Sequence, residues 1–190
     1  MVRKSEQRER THAEILRSAA SVLRQRGIAA ASVANVMGKL GLTVGGFYAH
    51  FPSKDALIAQ ALDEVMSESW QALIERHRSK PRHLQLGAII DGYLSQSHRD
   101  AEDSGCPMPA IVSEMPAQDG SVRKAFRQGF SRNVQLLRDV GGIGEDEALA
   151  AVSLMVGALV LARATRGADL SESILAAARR AARRLVGGKS

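Results

Sequence analysis

Cys106 is the one cysteine of the sequence, and its type and position could support covalent chemistry. It stands between Gly105 and Pro107, directly before an apolar segment that begins at Met108. A thiol at the N-terminus of a helix has a lowered pKa and is more nucleophilic, because the amide dipoles favour the thiolate. Cys106 is therefore either a sensor of electrophiles or oxidants, or a small buried residue of the core.

The remaining polar residues form no recognisable catalytic or metal-binding pattern. The sequence contains no phosphate-binding glycine loop, no His-Glu-x-x-His and no Gly-x-Ser-x-Gly. His77, His83 and His98 lack the spacing of metal ligands. We therefore expect no enzyme, no metal and no cofactor, and an enzyme of unknown type is kept only as a third alternative.

The excess positive charge of the chain lies at its N-terminal end. Residues 1–54 contain nine Lys and Arg against three acids, which accounts for the whole net charge of +6. Basic segments bind polyanions by releasing counterions from phosphates, so nucleic acid is the indicated partner, although basic ends also serve only for solubility. The N-terminus lacks the apolar run of a secretory signal, and a single cysteine fits a reducing cytoplasm.

Helices must position these side chains. Apolar residues make up 45% of the chain and aromatic residues only 4%, so Leu, Ile, Val, Met and Ala fill the core, a composition that favours helices. Ser32 and Thr43 are predicted N-caps, and Gly27 a C-terminal cap with positive φ. The fold class is all-α. Apolar periodicity predicts helices over residues 9–26, 33–40, 44–50, 54–78, 83–98 and 108–115, one capped by Asp119 or Ser121, and two more over 145–166 and 171–186.

The first three helices form a tri-helical helix-turn-helix unit, with two short helices joined by a turn that contains Gly41. Residues 10–20, 32–36 and 41–54, above all the run Gly-Phe-Tyr-Ala-His-Phe-Pro-Ser-Lys that ends at Lys54, resemble the N-terminal domain of the tetracycline-repressor (TetR) family. The resemblance implies a DNA-binding domain over residues 1–54 and a ligand-binding and dimerisation domain over 55–190. It implies a transcriptional regulator, and specifically a repressor that a small-molecule effector releases from operator DNA.

The resemblance also implies which residues contact DNA. Thr43 caps the second short helix and touches a phosphate, while Tyr48 and His50 bind the phosphate backbone. The pair Gly45 and Gly46 permits close approach of the backbone to the bases, or is merely a weak helix start, and Tyr48 is alternatively a core residue. The predicted contacts are Ser32, Asn35, Thr43, Val44, Gly45, Gly46, Tyr48, His50 and Lys54.

Residues 148–162 are apolar or small on every side of the predicted helix, whereas a helix on the surface of a monomer shows a polar face. The segment is shorter than the roughly 20 residues that a membrane span needs. Together with the Ala-rich last helix it predicts a four-helix interface in a homodimer, as the resemblance also implies. The alternative is a buried core helix in a monomer.

Gly105-Cys106-Pro107 is similar to a segment in a subgroup of this family, near the ligand cavity. The predicted ligand contacts, each of which also suits plain core, are Trp70, Tyr93, Cys106, Met108, Met115 and Phe126. The alternative function is a dimeric DNA-binding protein without a small-molecule ligand, such as a nucleoid protein.

Overall fold

The structure is a computed structural model that describes residues 2–118 and 120–187. One of the two predicted caps, Asp119, lies outside the described residues. Within these ranges the chain has no strand, which confirms the all-α fold class. Its helices are α1 (Val2–Ala30), α2 (Val33–Gly38), α3 (Val44–Phe47), α4 (Lys54–His77), α5 (Arg82–Tyr93), α6 (Gln96–Asp100), α7 (Met108–Ile111), α8 (Gly120–Gly141), α9 (Glu145–Ala164) and α10 (Asp169–Gly187), and a 3₁₀ segment, Val112–Ala117, follows α7.

Several helix boundaries differ from the predicted ones. α1 begins earlier, because the polar residues before position 9 are mostly strong helix formers. The predicted helix over 83–98 is divided, since the Ser95 hydroxyl accepts the His98 N–H and starts α6 as a new helix. The predicted helix over 108–115 tightens into the 3₁₀ segment, which contains Pro116 and so lacks one backbone donor.

Two hydrophobic cores lie along α4, which contributes to both. The first, called the head core, joins α1, α2, α3 and the start of α4, and it also takes in Ile111 and Met115 from the α7 region. The second, called the body core, lies between α4, α5, α8, α9 and α10. The helix-turn-helix is thus packed directly against the C-terminal part of the molecule.

α9 is buried on one side only. Met155, Leu159 and Ala162 belong to the body core, whereas Ser153, Gly157 and Leu161 face outward. Leu161 is 56% exposed in the single chain. By length and composition alone, α9 is the one helix among the described residues that could cross a membrane. Its outward face carries no charge between residues 148 and 162, which leaves an apolar surface available for a protein partner.

Candidate DNA-binding surface and effector groove

Two side-chain caps set the geometry of the helix-turn-helix. The Ser32 hydroxyl accepts the Asn35 N–H at 3.2 Å and starts α2, and the Thr43 hydroxyl accepts the Gly46 N–H at 3.3 Å and starts α3. Gly41, in the turn between them, has a φ of 67°, a conformation that glycine adopts without strain. Both predicted N-caps are confirmed.

The outward face of α3 is open and carries few side-chain atoms. Val44 is 48% and Tyr48 67% exposed, so the interpretation of Tyr48 as a core residue is wrong. Phe47 is buried instead and meets the Tyr48 ring edge-on at 5.2 Å between centroids. A Cβ added at Gly45 would meet no atom within 4 Å, so the backbone of α3 is directly accessible from solvent. A helix face of this kind can lie deep in a major groove.

α3 is a single short helix that ends at Phe47, not at the predicted His50, and residues 48–50 form a turn. His50 is half-buried, and burial lowers its pKa, with the nearby His12 and Arg8 charges acting in the same direction. The lowered pKa favours the neutral imidazole at pH 7. Among the described residues, its Nδ1 atom has no hydrogen-bond partner.

Asn35 and Lys54 flank α3 from the neighbouring helices. The Asn35 amide donates one of its two N–H groups to the Ala30 carbonyl at 2.8 Å. Lys54 is the first residue of α4, where the Ser53 hydroxyl accepts the Ala56 N–H as the cap. Ser32 is similarly engaged as a cap, and its O–H donor and one lone pair remain for a second contact.

α1 supports this surface through two residues that the sequence did not single out. The Arg8 guanidinium donates to the Ala49 carbonyl at 2.7 Å, across 41 residues of sequence. The His12 ring stacks on Phe51 at 4.3 Å between centroids. Arg8 was included in the count of basic charge, but no periodicity in the sequence indicates which carbonyl it reaches.

An apolar groove of about 590 Å³ opens between α7, α8 and α9. Its lining has one side-chain hydroxyl, Ser153, and no charged residue. Of the predicted ligand contacts, Met108 and Phe126 lie in its wall. The groove is lined by Met108, Val112, Phe126, Phe130, Ser153, Val156, Gly157, Val160 and Leu161.

The other four predicted ligand contacts lie elsewhere. Met115 belongs to the head core. Trp70, Tyr93 and Cys106 are buried together behind Met108, with the Trp70 and Tyr93 ring centroids 5.7 Å apart. These three side chains form a second layer behind the groove wall.

His98 connects two residues of this second layer, Tyr93 and Cys106, by hydrogen bonds. The Cys106 N–H donates to His98 Nε2 at 3.0 Å, and His98 Nδ1 lies 2.6 Å from the Tyr93 carbonyl oxygen. Both bonds are satisfied by the neutral tautomer with its proton on Nδ1. Burial lowers the pKa of His98 in agreement with this assignment.

Of the two interpretations of Cys106, its burial in the body core favours the small core residue over the activated thiol. Burial raises the pKa of Cys106, and this effect outweighs the Tyr93 hydroxyl, the Met108 N–H and the Trp70 indole, which act in the opposite direction. α7 is only one turn long, and Pro107 supplies no N–H, so the dipole available to a thiolate is small. The buried thiol is therefore held in its neutral form.

The body core also contains polar atoms that the sequence did not indicate. Within the described part of the chain, the Trp70 indole nitrogen, the Tyr93 hydroxyl and both amide atoms of Asn133 are buried without a hydrogen-bond partner. The amphipathic sequence pattern of α8 does not indicate that Asn133 is buried. The structure shows it, since Asn133 is only 1% exposed.

Comparison with known proteins agrees with this architecture. Residues 15–61 match the model for bacterial regulatory proteins of the tetR family, and residues 83–178 match the tetracyclin repressor-like C-terminal domain. The HTH-type transcriptional repressor Rv3405c of Mycobacterium tuberculosis is 30% identical over 152 residues, which cover 73% of this chain and 81% of that protein.

Solved structures show the same fold. A TetR-family regulator from Agrobacterium tumefaciens superposes with a TM-score of 0.75 at 22% identity, covering 93% of this chain and 98% of the other. The reduced form of Escherichia coli NemR superposes with a TM-score of 0.73, also at 22% identity, covering 90% of this chain and 95% of that one. With the two domain matches and the helix-turn-helix geometry, this chain belongs to the tetracycline-repressor (TetR) family and is a DNA-binding transcriptional regulator.

Proposed function

We propose that the protein is a homodimeric cytoplasmic repressor that leaves its operator when a small molecule binds its C-terminal part. In this proposal residues 1–54 bind double-stranded operator DNA, and residues 55–190 dimerise and bind the effector. The observation that carries the proposal is the exposed face of α3, capped by Thr43 and formed by Val44, Gly45 and Gly46. No membrane is involved, since the apolar face of α9 is assigned to the dimer.

The DNA contacts divide by position. Val44, Gly45 and Gly46 face the base edges, while Thr43, Tyr48 and Lys54 meet phosphates. His50 is neutral at pH 7 and binds a phosphate as a hydrogen-bond donor without adding charge. Asn35 in α2 and its cap Ser32 each retain a donor and an acceptor for contacts to the DNA.

The dimer is supported by the outward faces of α9 and α10. A second apolar groove, of about 510 Å³, runs between these helices and shares Ser153, Gly157 and Leu161 with the groove described above. The small residues Ser153 and Gly157 on the outward face of α9 would let a helix of the second subunit approach closely. A two-fold axis through this surface would place the two copies of α3 in successive major grooves, about 34 Å or a multiple apart.

We assign the effector to the apolar groove between α7, α8 and α9. The absence of charge from its lining favours an uncharged and largely apolar molecule, with Ser153 as the polar contact. Phe126 and Phe130 lie with nearly parallel rings 6.3 Å apart and suit an aromatic ligand. This wall is supported from behind by Trp70, Tyr93 and Cys106, which would contact the ligand if the Met108 side chain moved. Met115 packs in the head core and would contact the ligand from that side.

We also place the chain in the subgroup with a Gly-Cys-Pro segment in the C-terminal domain. A Cβ at Gly105 would lie 2.6 Å from the Ala101 carbonyl oxygen and 3.0 Å from the His98 ring, so glycine is needed there. Cys106 fills a small buried site next to it. This packing supports the interpretation of Cys106 as a core residue rather than a reactive sensor.

The test begins with genome-wide isolation of the DNA that the protein binds, which supplies the operator. Operator release is then measured with a set of uncharged aromatic compounds and with cationic compounds of the same size. We expect release by members of the uncharged set only. Release by cations alone would contradict the proposed site, and binding without sequence preference would favour a nucleoid protein.

A further inference from the structure

We infer that Glu114 is a positioning residue that holds the DNA-binding head in place and connects it to the α7–α9 groove. Its carboxylate accepts the Ile28 N–H at 2.8 Å through Oε1 and the Ala29 N–H at 2.7 Å through Oε2. These two residues are 86 and 85 positions away in sequence. The connection to the groove rests on the proposed effector site, whereas the hold on the head does not.

The two N–H groups are available because α1 is interrupted at Gly27. This residue has a φ of 77° and a ψ of −170°, so the helix stops and restarts immediately after it. The first N–H groups after such a break have no acceptor in their own helix. Glu114 supplies both acceptors from one carboxylate, and hydrogen bonds to a charged group are stronger than those between neutral groups.

Close packing at Gly27 shows that the contact is built into the fold. A Cβ at this position would overlap the Glu114 carboxylate and would lie 2.6 Å from the Ala110 carbonyl oxygen. Two separate constraints therefore require glycine at residue 27: its positive φ, and the close approach of the α7 region. The kink in α1 and the carboxylate that caps it depend on each other.

The segment after the kink in α1 is hydrogen-bonded to α2 of the helix-turn-helix. Asn35, in α2, donates its side-chain amide to the Ala30 carbonyl at 2.8 Å, one residue beyond the capped N–H groups. Ser32 then caps α2 directly. A change in the position of residues 28–30 is thus transmitted to α2 through short hydrogen bonds, and α2 carries α3 by packing in the head core.

The segment that carries Glu114 has a second face in the groove. Met108 and Val112 line the groove, whereas Ile111 and Met115 are buried in the head core. A molecule in the groove would contact Met108 and Val112, and Val112 is only two residues from Glu114 in the sequence. Displacement of the segment would break the two carboxylate bonds and free the head from its DNA-binding position.

The first experiment replaces the carboxylate. In Glu114→Gln the amide oxygen can accept one N–H, but the NH₂ group faces the other. We expect the Ile28 and Ala29 amides of the full-length protein to exchange with deuterium about tenfold faster, and operator affinity to fall by about tenfold. The matched control is Glu75→Gln, which removes an exposed 3.4 Å ion pair with Arg78 at the end of α4 and should change neither value.

The second experiment fills the groove without any ligand. Val112→Trp should increase exchange at Ile28 and Ala29 and weaken operator binding, while Ser113→Trp, at an exposed neighbouring position outside the groove lining, should not. In the double variant with Glu114→Gln, the tryptophan should add little. A merely structural role of Glu114 would give additive losses.

The outcomes separate the inference from the proposed function. Unchanged exchange at Ile28 and Ala29 in Glu114→Gln would overturn the inference, whatever the effector. Additive effects in the double variant would also overturn it, since the groove would then act by another route. Loss of binding in Glu114→Gln with none in Val112→Trp would overturn the connection between the groove and Glu114, whether or not the effector binds the groove.

Discussion

Lys54 begins α4 directly after the Ser53 cap, and it is one of the predicted phosphate contacts. We expect Lys54→Ala to lower the magnitude of the log–log salt dependence of DNA binding by about 0.9, because one phosphate contact is lost. The affinity should fall alike for operator and unrelated duplexes. Fluorescence anisotropy measures both the salt slope and the two affinities. The titrations cover roughly 50 to 200 mM salt, where the affinity changes steeply enough to define a slope. Lys80→Ala, in the turn after α4, is the control and should leave the slope unchanged.

His98 is the residue through which pH should affect stability. Its folded pKa is lowered by burial, so on acidification the unfolded chain, with a histidine pKa of about 6.5, binds a proton before the folded chain does. The free energy of unfolding should therefore decrease as the pH falls below about 6.5. Protonation of the folded form would also cost the bond from the Cys106 N–H to Nε2.

Thermal unfolding between about pH 7.5 and 5 checks this expectation, a range chosen to span the ordinary histidine pKa. In His98→Gln the decrease should be shallower than in the wild type, with a remainder from His50 and His77, whose pKa values are also lowered by burial. His83→Gln, at an exposed position, should retain the full decrease. An equal decrease in the His98 variant would exclude this histidine as the cause.

At the scale of elements, the weakest helix is also the one placed to meet DNA. α3 has four residues, two of them glycine, and each glycine costs about 1 kcal/mol of helix stability relative to alanine. Its caps and the burial of Phe47 hold it in place, not its own propensity. A sequence that needed only a stable helix would place alanine at these positions.

Gly45→Ala separates the two interpretations of the glycines. There is room for the methyl group, so we expect the head to gain up to about 1 kcal/mol in unfolding free energy. Operator affinity should nevertheless fall at least tenfold, because the Cβ would separate the backbone from the bases. Gly38→Ala, at the end of α2 where a Cβ also meets nothing within 4 Å, should stabilise without loss of affinity. Unchanged operator affinity in Gly45→Ala would mean that the glycines are only a weak helix start.

At the scale of the whole molecule, a substitution that tests the proposed dimer must be made at a residue that faces outward from the subunit. Leu159 lies in the subunit's own core with 0% exposure, so a charge there would test folding instead of association. Leu161 is 56% exposed and lines both apolar grooves.

Leu161→Glu should therefore keep the helical content of the subunit while converting a dimer into a monomer, since a carboxylate buried without a partner in the interface costs several kcal/mol. Sedimentation at micromolar concentration and circular dichroism provide the two measurements. Leu84→Glu is the control, because Leu84 is 52% exposed and lines neither groove. A wild-type chain that sediments as a monomer would disprove the dimer.

The sequence alone determined the features that depend on neighbouring residues. Helix propensity and apolar spacing gave the all-α class, and Ser32 and Thr43 were identified as caps because a cap acts on an N–H only three residues away. Gly27 was predicted to take a positive φ, since few other residues do so at low cost. The family resemblance also follows from local runs of sequence, residues 10–20, 32–36 and 41–54.

Only the tertiary structure decided the features that depend on residues far apart in the chain. The position of Cys106 before α7 left an activated thiol open as one interpretation, but burial in the body core raises its pKa, because desolvation outweighs the polar groups that favour the thiolate. Glu114 carried no signal in the sequence, since its partners lie more than 80 positions away. Local sequence sets which helices form, whereas packing alone determines which side chains meet across them.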